Sequence, residues 1–214
     1  MDTTTVDLEH FDRKESFEYY SSHKLSINLS LKLDVTKMVE FIKKNKLRSM
    51  PVTIWVVSKV VNSIENFRYT LDEHGELCVY KAMHPGYVVL NEKTKNISCI
   101  YTEYSDDFSV FYKQCIEDMA LVHTNKLFPI ANEPKNIFSI SCMPGIGFES
   151  FHIGFRKVPL TPIFATGKYT EEKKKLLMPF SIQVNHAFCD GYHIQLLIDE
   201  INQTIQTLEQ LNPF

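Results

Sequence analysis

The stretch from Leu176 to His193, LLMPFSIQVNHAFCDGYH, changes its period partway along, and that change dictates what must meet there. Met178, Phe180, Ile182, Val184 and His186 alternate with Ser181, Gln183 and Asn185, the period of two expected of a half-buried strand. Asp190-Gly191 then breaks the pattern. From Ile194 the apolar positions Leu197, Ile198, Ile201, Ile205 and Leu208 recur at helical spacing. His186 therefore stands where a strand runs out, and Asp190 near the start of a helix. A base delivered from a strand end into a cleft is one way to build an active site. On spacing alone, His186 is equally well one hydrogen-bonded core histidine among eight scattered ones.

Upstream patterns supply the rest of the fold class. Val6 to Tyr20 reads as an amphipathic helix, and Leu25 to Leu33 alternates cleanly as a strand. Asp34 can cap a helix through Lys46 that turns Val35, Met38, Val39 and Ile42 inward. Pro51 to about Phe67 is apolar on most sides, so this helix is expected in the core. Two strands around 67–71 and 76–80 flank His74-Gly75, a hairpin signal. Strands follow at 87–90 and 97–104, then a helix opened by Asp106-Asp107 and reaching about His123. A loop with Pro129 and Pro134 leads to strands at 137–142, 148–155 and 163–169. With no repeats and short loops, residues 1–214 read as a single α/β domain, a large mixed sheet flanked by helices.

Composition narrows the function classes. With 44% hydrophobic and 23% charged residues the chain is of the soluble globular type. A net charge of −3 and only short lysine runs, at 43–46 and 173–175, argue against nucleic acid as a partner. The five cysteines are scattered without CxxC spacing, which suggests reduced thiols and no zinc site. The most apolar run, 50–61, is too short to span a bilayer and carries Lys59, and the N-terminus shows no signal pattern. A cytoplasmic protein with no membrane partner is expected.

His186-Ala-Phe-Cys-Asp-Gly191 is an HxxxDG motif, and IQVNHAFCDGYH around it resembles the signature of chloramphenicol acetyltransferases. The short motif is shared more widely among CoA-dependent acyltransferases, including dihydrolipoamide acyltransferase cores and peptide-synthetase condensation domains. Further segments resemble that family in order: FDRKESFEYY, KKNK before the Pro51 helix, NFR at 66–68, GEL at 75–77, HP at 84–85, EYSDDF at 103–108, SFHI at 150–153 and GKY at 167–169. The resemblance thus runs nearly the whole chain. It implies a homotrimer with active sites at subunit interfaces, acetyl-CoA as co-substrate, no metal, and transfer of acetyl to a hydroxyl of chloramphenicol, which inactivates the antibiotic.

By the same resemblance His186 is the general base, and Ser150 donates a hydrogen bond to the tetrahedral oxyanion. A free imidazole, with a pKa of about 6.5, is mostly neutral at cytoplasmic pH, the state a base needs. Asp190 and Arg13 are expected to form a structural ion pair, and Tyr20 to line the acceptor pocket. The chain departs from the family pattern at several places. Asn185 replaces the first of two adjacent histidines, Ala165 a threonine, and Asn28 and Ile97 stand where aromatic rings surround the antibiotic. Loss of stacking rings should weaken the fit to a nitrophenyl group. A small hydroxyl or thiol compound other than chloramphenicol is the alternative acceptor.

Overall fold

A computed structural model describes residues 3–122, 134–211 and 213. Its strands are β1 (Thr3–Thr5), β2 (Ser26–Asp34), β3 (Tyr69–Leu71), β4 (Leu77–Tyr80), β5 (His84–Leu90), β6 (Ile97–Tyr101), β7 (Ile137–Cys142), β8 (Ile163–Thr166), β9 (Thr170–Glu172) and β10 (Lys175–Asn185). The helices are α1 (Lys14–His23), α2 (Thr36–Lys44), α3 (Ser49–Ser63), α4 (Phe108–Leu121) and α5 (Gly191–Thr207). Seven strands form one mixed sheet in the order β2-β10-β8-β7-β5-β6, with β9 paired to β10. The β8–β7 and β7–β5 pairs are parallel and the others antiparallel. A separate antiparallel sheet has the order β1-β4-β3, so the expected hairpin exists but lies outside the large sheet.

The expected mixed α/β architecture is what the chain adopts. Helix α3 is the central pillar: Pro51 through Ser58, Val60 and Val61 are all buried, and it touches α2, α4, α5 and β5. Its length agrees with the expectation except at the end, where a 3₁₀ turn, Glu65–Arg68, replaces the last helical turn. Asp34 does bond the start of α2, through the Thr36 amide (3.1 Å) and hydroxyl (2.6 Å). Asp107 caps α4 by accepting from the Val110 amide at 3.0 Å. The expected end of that helix at His123, and Pro129 in the loop beyond, lie outside the described residues.

Two expectations are corrected. The helix read over 6–20 begins only at Lys14. The reason is local: the Asp7 carboxylate takes the Glu9 amide (3.0 Å) and His10 Nδ1 (2.8 Å), making a turn. The Val6 amide meanwhile donates to Leu77 O beside the small sheet. The strand read over 148–155 does not form either, and those residues make an irregular strap. The segment pairs with no strand of the sheet. It lies instead across the polar side chains of β2 and β10, which explains why β10, expected to be half-buried, is covered on both sides: Phe180 and Ile182 are fully buried, and Ser181 and Gln183 are 3% and 9% exposed.

The strap is entered through a tight passage at Gly167. A methyl group added there would stand 2.7 Å from the Ile146 carbonyl oxygen and 2.9 Å from the Phe148 ring. The backbones are already bonded at that point, with Lys168 N donating to Ile146 O at 2.7 Å. Gly167→Ala should therefore destabilise by about 1–3 kcal/mol, the usual cost of forcing atoms into a packed site. For a chain of this length that lowers the melting midpoint by roughly 2–12 °C in a thermal unfolding scan. An unchanged midpoint would show that the passage is looser than the backbone contact implies.

Candidate active site

The HxxxDG segment folds as a turn between β10 and α5, and its amides converge on one residue. Asn185 accepts the Ala187 amide through its side-chain oxygen (3.0 Å), and the Phe188 (3.1 Å) and Cys189 (3.0 Å) amides through its carbonyl. With the amides so occupied, the carbonyls of 188 and 189 are left for other partners. Phe188 O accepts from Arg13 (2.6 Å) and from Asn66 Nδ2 (3.0 Å). Cys189 O lies 3.1 Å from His186 Nδ1. A carbonyl can only accept, so Nδ1 carries a proton, and in the neutral ring Nε2 is the free acceptor.

The ring plane is fixed as well. Tyr20 of α1 stacks on the His186 imidazole with centroids 3.6 Å apart and planes 13° from parallel. His186 is half-buried, so it is held firmly yet reachable. The Cys189 thiol beside it is pushed up by burial, far from a reactive thiolate. Where Asn185 stands in place of a histidine, its side chain points into the turn and to Pro159 O (3.3 Å), away from the His186 ring.

Asp190 caps α5 through the Tyr192 amide (2.9 Å) and meets Arg13 at 3.2 Å. Its other close partner is His193 Nδ1, at 2.8 Å. That contact requires the proton on Nδ1, so the 3.3 Å approach of the Asp190 amide to the same nitrogen is not a hydrogen bond. Burial pulls the Asp190 carboxyl up. The hydrogen bond from His193 and the charges of His193 and Arg13 outweigh it, and hold the group below its ordinary value. The sequence alone assigned no chemical role to His193 or Asn66. Their signal was the DGxH and NFR segments, which mark residues without naming partners.

Ser150 lies elsewhere in the same chain. It is exposed, on the strap. The strap lies over the strand pairs Ser30↔Ser181 and Asn28↔Gln183, and Ala165, opposite Ser181 on β8, is buried beneath the same region. Ser181 and His186 are five residues apart, about 16 Å of extended strand. One chain thus carries His186 with Tyr20 at one place, and Ser150 with Asn28 and Ala165 at another. Ile97 joins neither. It is exposed at the start of β6, on the sheet edge opposite β2 and five strand spacings away, about 24 Å.

Behind the strap passage is a cleft of about 140 Å³ whose lining includes Met38, Ile42, Lys43, Thr166, Lys168 and Tyr169. Gly167 lines it too, so the cleft and the strap meet there. Among the described residues there is no group of three or more His, Cys, Asp or Glu side chains that could hold a metal ion. No helix among them is long and apolar enough to cross a membrane.

The architecture is that of the CoA-dependent acyltransferases. A solved chloramphenicol acetyltransferase superposes with a TM-score of 0.83 at 19% identity, covering 95% of this chain and 99% of that one. A dihydrolipoamide acetyltransferase of Azotobacter vinelandii does so with 0.71 at 15% identity, covering 92% and 87%. Within that class the sequence decides the family. Residues 1–202 match the family model for chloramphenicol acetyltransferase. The chain is 38% identical to the chloramphenicol acetyltransferase of Vibrio anguillarum, over 98% of this chain and 97% of that one. It is 36% identical to that of Bacillus pumilus, over 94% and 93%. The chain belongs to the chloramphenicol acetyltransferase family and is an acyltransferase.

Because the Asp190 carboxyl is depressed in the folded chain, its stabilising contribution is present above the unfolded value of about 3.9 and fades as pH falls through the lower folded value. Asp190→Asn keeps the cap but removes the charge opposite Arg13, whose side chain is 17% exposed. With the Asp190 side chain 37% exposed, solvent screens the pair, so the variant should be about 1 kcal/mol or less below wild type in stability at pH 7, and the gap should narrow below pH 4 in urea titrations. A gap that stays constant from pH 7 to pH 3 would remove the ion pair from the account.

Proposed function

We propose that the chain acetylates a hydroxyl of chloramphenicol with acetyl-CoA, using His186 as general base and Ser150 as the donor to the oxyanion. The observation that carries this reading is the hydrogen bond from His186 Nδ1 to the Cys189 carbonyl. It commits the neutral ring to one tautomer, with Nε2 bare and aimed by the Tyr20 stack.

The reaction follows from that tautomer. Nε2 takes the proton of the acceptor hydroxyl as its oxygen adds to the thioester carbonyl. The tetrahedral oxyanion is met by the Ser150 hydroxyl. Collapse breaks the C–S bond, and the imidazolium returns the proton to the departing CoA sulfur. The products are the acetyl ester and free CoA, with no acyl-enzyme. A positioned base is worth about 10²–10⁴ in rate and an oxyanion donor about 10²–10³.

Acetyl-CoA would enter by the cleft at Gly167. The ammonium groups of Lys43 and Lys168 suit phosphates, the Tyr169 ring suits an adenine, and the apolar lining suits the pantetheine arm. The five cysteines are free thiols, in keeping with work in the reducing cytoplasm, where acetyl-CoA is at hand.

Since His186 and Ser150 lie apart in one chain, the working site is formed between copies, His186 of one facing Ser150 of the next in a homotrimer. Exposed apolar side chains supply surface for that contact: Leu25 just before β2, Leu29 within it, and Ile153 and Phe155 on the strap. The acceptor pocket then takes Tyr20 from one copy and Asn28 and Ala165 from the other. Asn28 brings no ring to the drug, and one of its two amide hydrogens is already committed to Phe151 O at 3.3 Å. That observation favours a second reading, in which another small hydroxyl or thiol compound is the better acceptor and chloramphenicol a poor one.

CoA release followed spectrophotometrically tests these statements. His186→Ala should lose about 10²-fold or more in kcat while its melting midpoint stays near wild type, and turnover within threefold of wild type would refute the base. Chloramphenicol should support CoA release, and none with the drug but turnover with another alcohol would move the assignment to the second reading. In sedimentation the chain should run at three times its own mass, and an active monomer would overturn the shared site.

A further inference from the structure

The strap that carries Ser150 is held in an unusual way. Among the described residues, no main-chain hydrogen bond joins 148–155 to the sheet. Four side chains do so instead. Ser181 Oγ (2.5 Å) and Asn28 Nδ2 (3.3 Å) donate to Phe151 O, and Ser30 Oγ accepts the Phe151 amide at 3.3 Å. Gln183 grips Ile153 from both sides, its Oε1 accepting the amide (3.3 Å) and its Nε2 donating to the carbonyl (3.1 Å).

These four are two cross-strand pairs, Ser30↔Ser181 and Asn28↔Gln183, on one face of β2 and β10. The bonded peptides of the strap are also two residues apart, at 151 and 153. The strap therefore advances in step with the strands beneath it, as an added strand would, but lies on the face of the sheet and is bonded by side chains. The Phe151 amide belongs to the peptide that Ser150 itself begins, so fixing it fixes the backbone that aims the Ser150 hydroxyl.

We propose that Ser181, Gln183 and Ser30 are positioning residues for acetyl transfer, which set the rate by holding Ser150 where the oxyanion forms. The proposal rests on the reading of Ser150 given above. Ser181 and Gln183 are otherwise hard to account for. Each is at most 9% exposed, on a strand whose other face is fully apolar, and a buried hydroxyl or amide without partners is destabilising. Their partners are supplied by the strap, and the peptides of the strap at 151 and 153 find theirs in them.

The test is a double-mutant cycle on the full chain in its oligomeric state. Ser181→Ala and Gln183→Met should each lower kcat about tenfold or more, since misplacing a catalytic group by 1 Å can cost roughly 10²-fold, with KM for acetyl-CoA within threefold. Ser181→Thr, which keeps the hydroxyl, should retain most of kcat. In a Ser150→Ala background the same changes should lower kcat no further than about twofold, because the group they aim is gone.

Losses that multiply in full in that background would mean a general structural role and overturn the proposal. Unchanged kcat in the single variants would do the same. Should the two buried changes prevent folding, Ser30→Ala on the half-buried edge strand is read in the same cycle, with the same two outcomes. If Ser150→Ala alone leaves kcat unaltered, the oxyanion reading itself has failed, and that is visible before any second residue is changed.

Discussion

The structure around His186 depends on how the turn at 185–190 satisfies its own backbone. Asn185 takes three successive amides of that turn, so the carbonyls that follow must find donors elsewhere. Arg13 and Asn66 reach Phe188 O from two different parts of the chain, and His186 reaches Cys189 O. The orientation of the His186 ring is thus a by-product of closing the turn. The Arg13 guanidinium does two things at once, because it also faces Asp190, the cap of α5. One cation thereby fixes the N-terminal segment, the end of β10 and the start of α5 in a single arrangement. Being mostly buried, it would be costly to leave without its carboxylate.

Residues near the chain ends therefore meet at the centre. Arg13 and Tyr20 come from the start of the chain, Asn66 from beyond α3, and His186 and Asp190 from near its end. Such a site has high contact order, and its geometry is only as good as the packing of α1 against the turn. That packing is aromatic: Phe17 stacks near-parallel on Phe188 at 6.3 Å, and Phe11 and Tyr69 close around them edge to face. Rings of this kind bury large area with few rotatable bonds, which suits an element that has to hold an imidazole in one plane.

Where the sequence was legible, a local rule coincided with a tertiary one. The alternation of β10 and β2, the apolar α3 and the Asp107 cap all follow from patterns within a dozen residues, and they stand as expected. The motif around His186 was equally plain, as was the Arg13–Asp190 pair once the resemblance was drawn. What failed did so because a competing partner was invisible in one dimension. Asp7 captured the chain that would have begun α1. The strand expected at 148–155 failed because the partners of that segment are side chains and not a strand, and no period reveals that. Nor does any local feature show that Ile97 lies at the far edge of the sheet from Asn28.

The same segment explains why β10 carries polar residues on a buried face. An ordinary strand added to a sheet edge bonds its neighbour through alternating main-chain groups and leaves its side chains to be divided between two faces. A strap laid over the sheet has all its bonded peptides met from below, by Ser30, Ser181 and Gln183, so its outward side is free. Ser150 and His152 are accordingly exposed while the peptides around them are held. The part proposed for Ser150, donating to an oxyanion, would call for both conditions: a backbone that is held, and no competing partner at the tip. Polar residues in β10 weaken the sheet as a hydrophobic layer, and in exchange they give a surface residue the rigidity of the core.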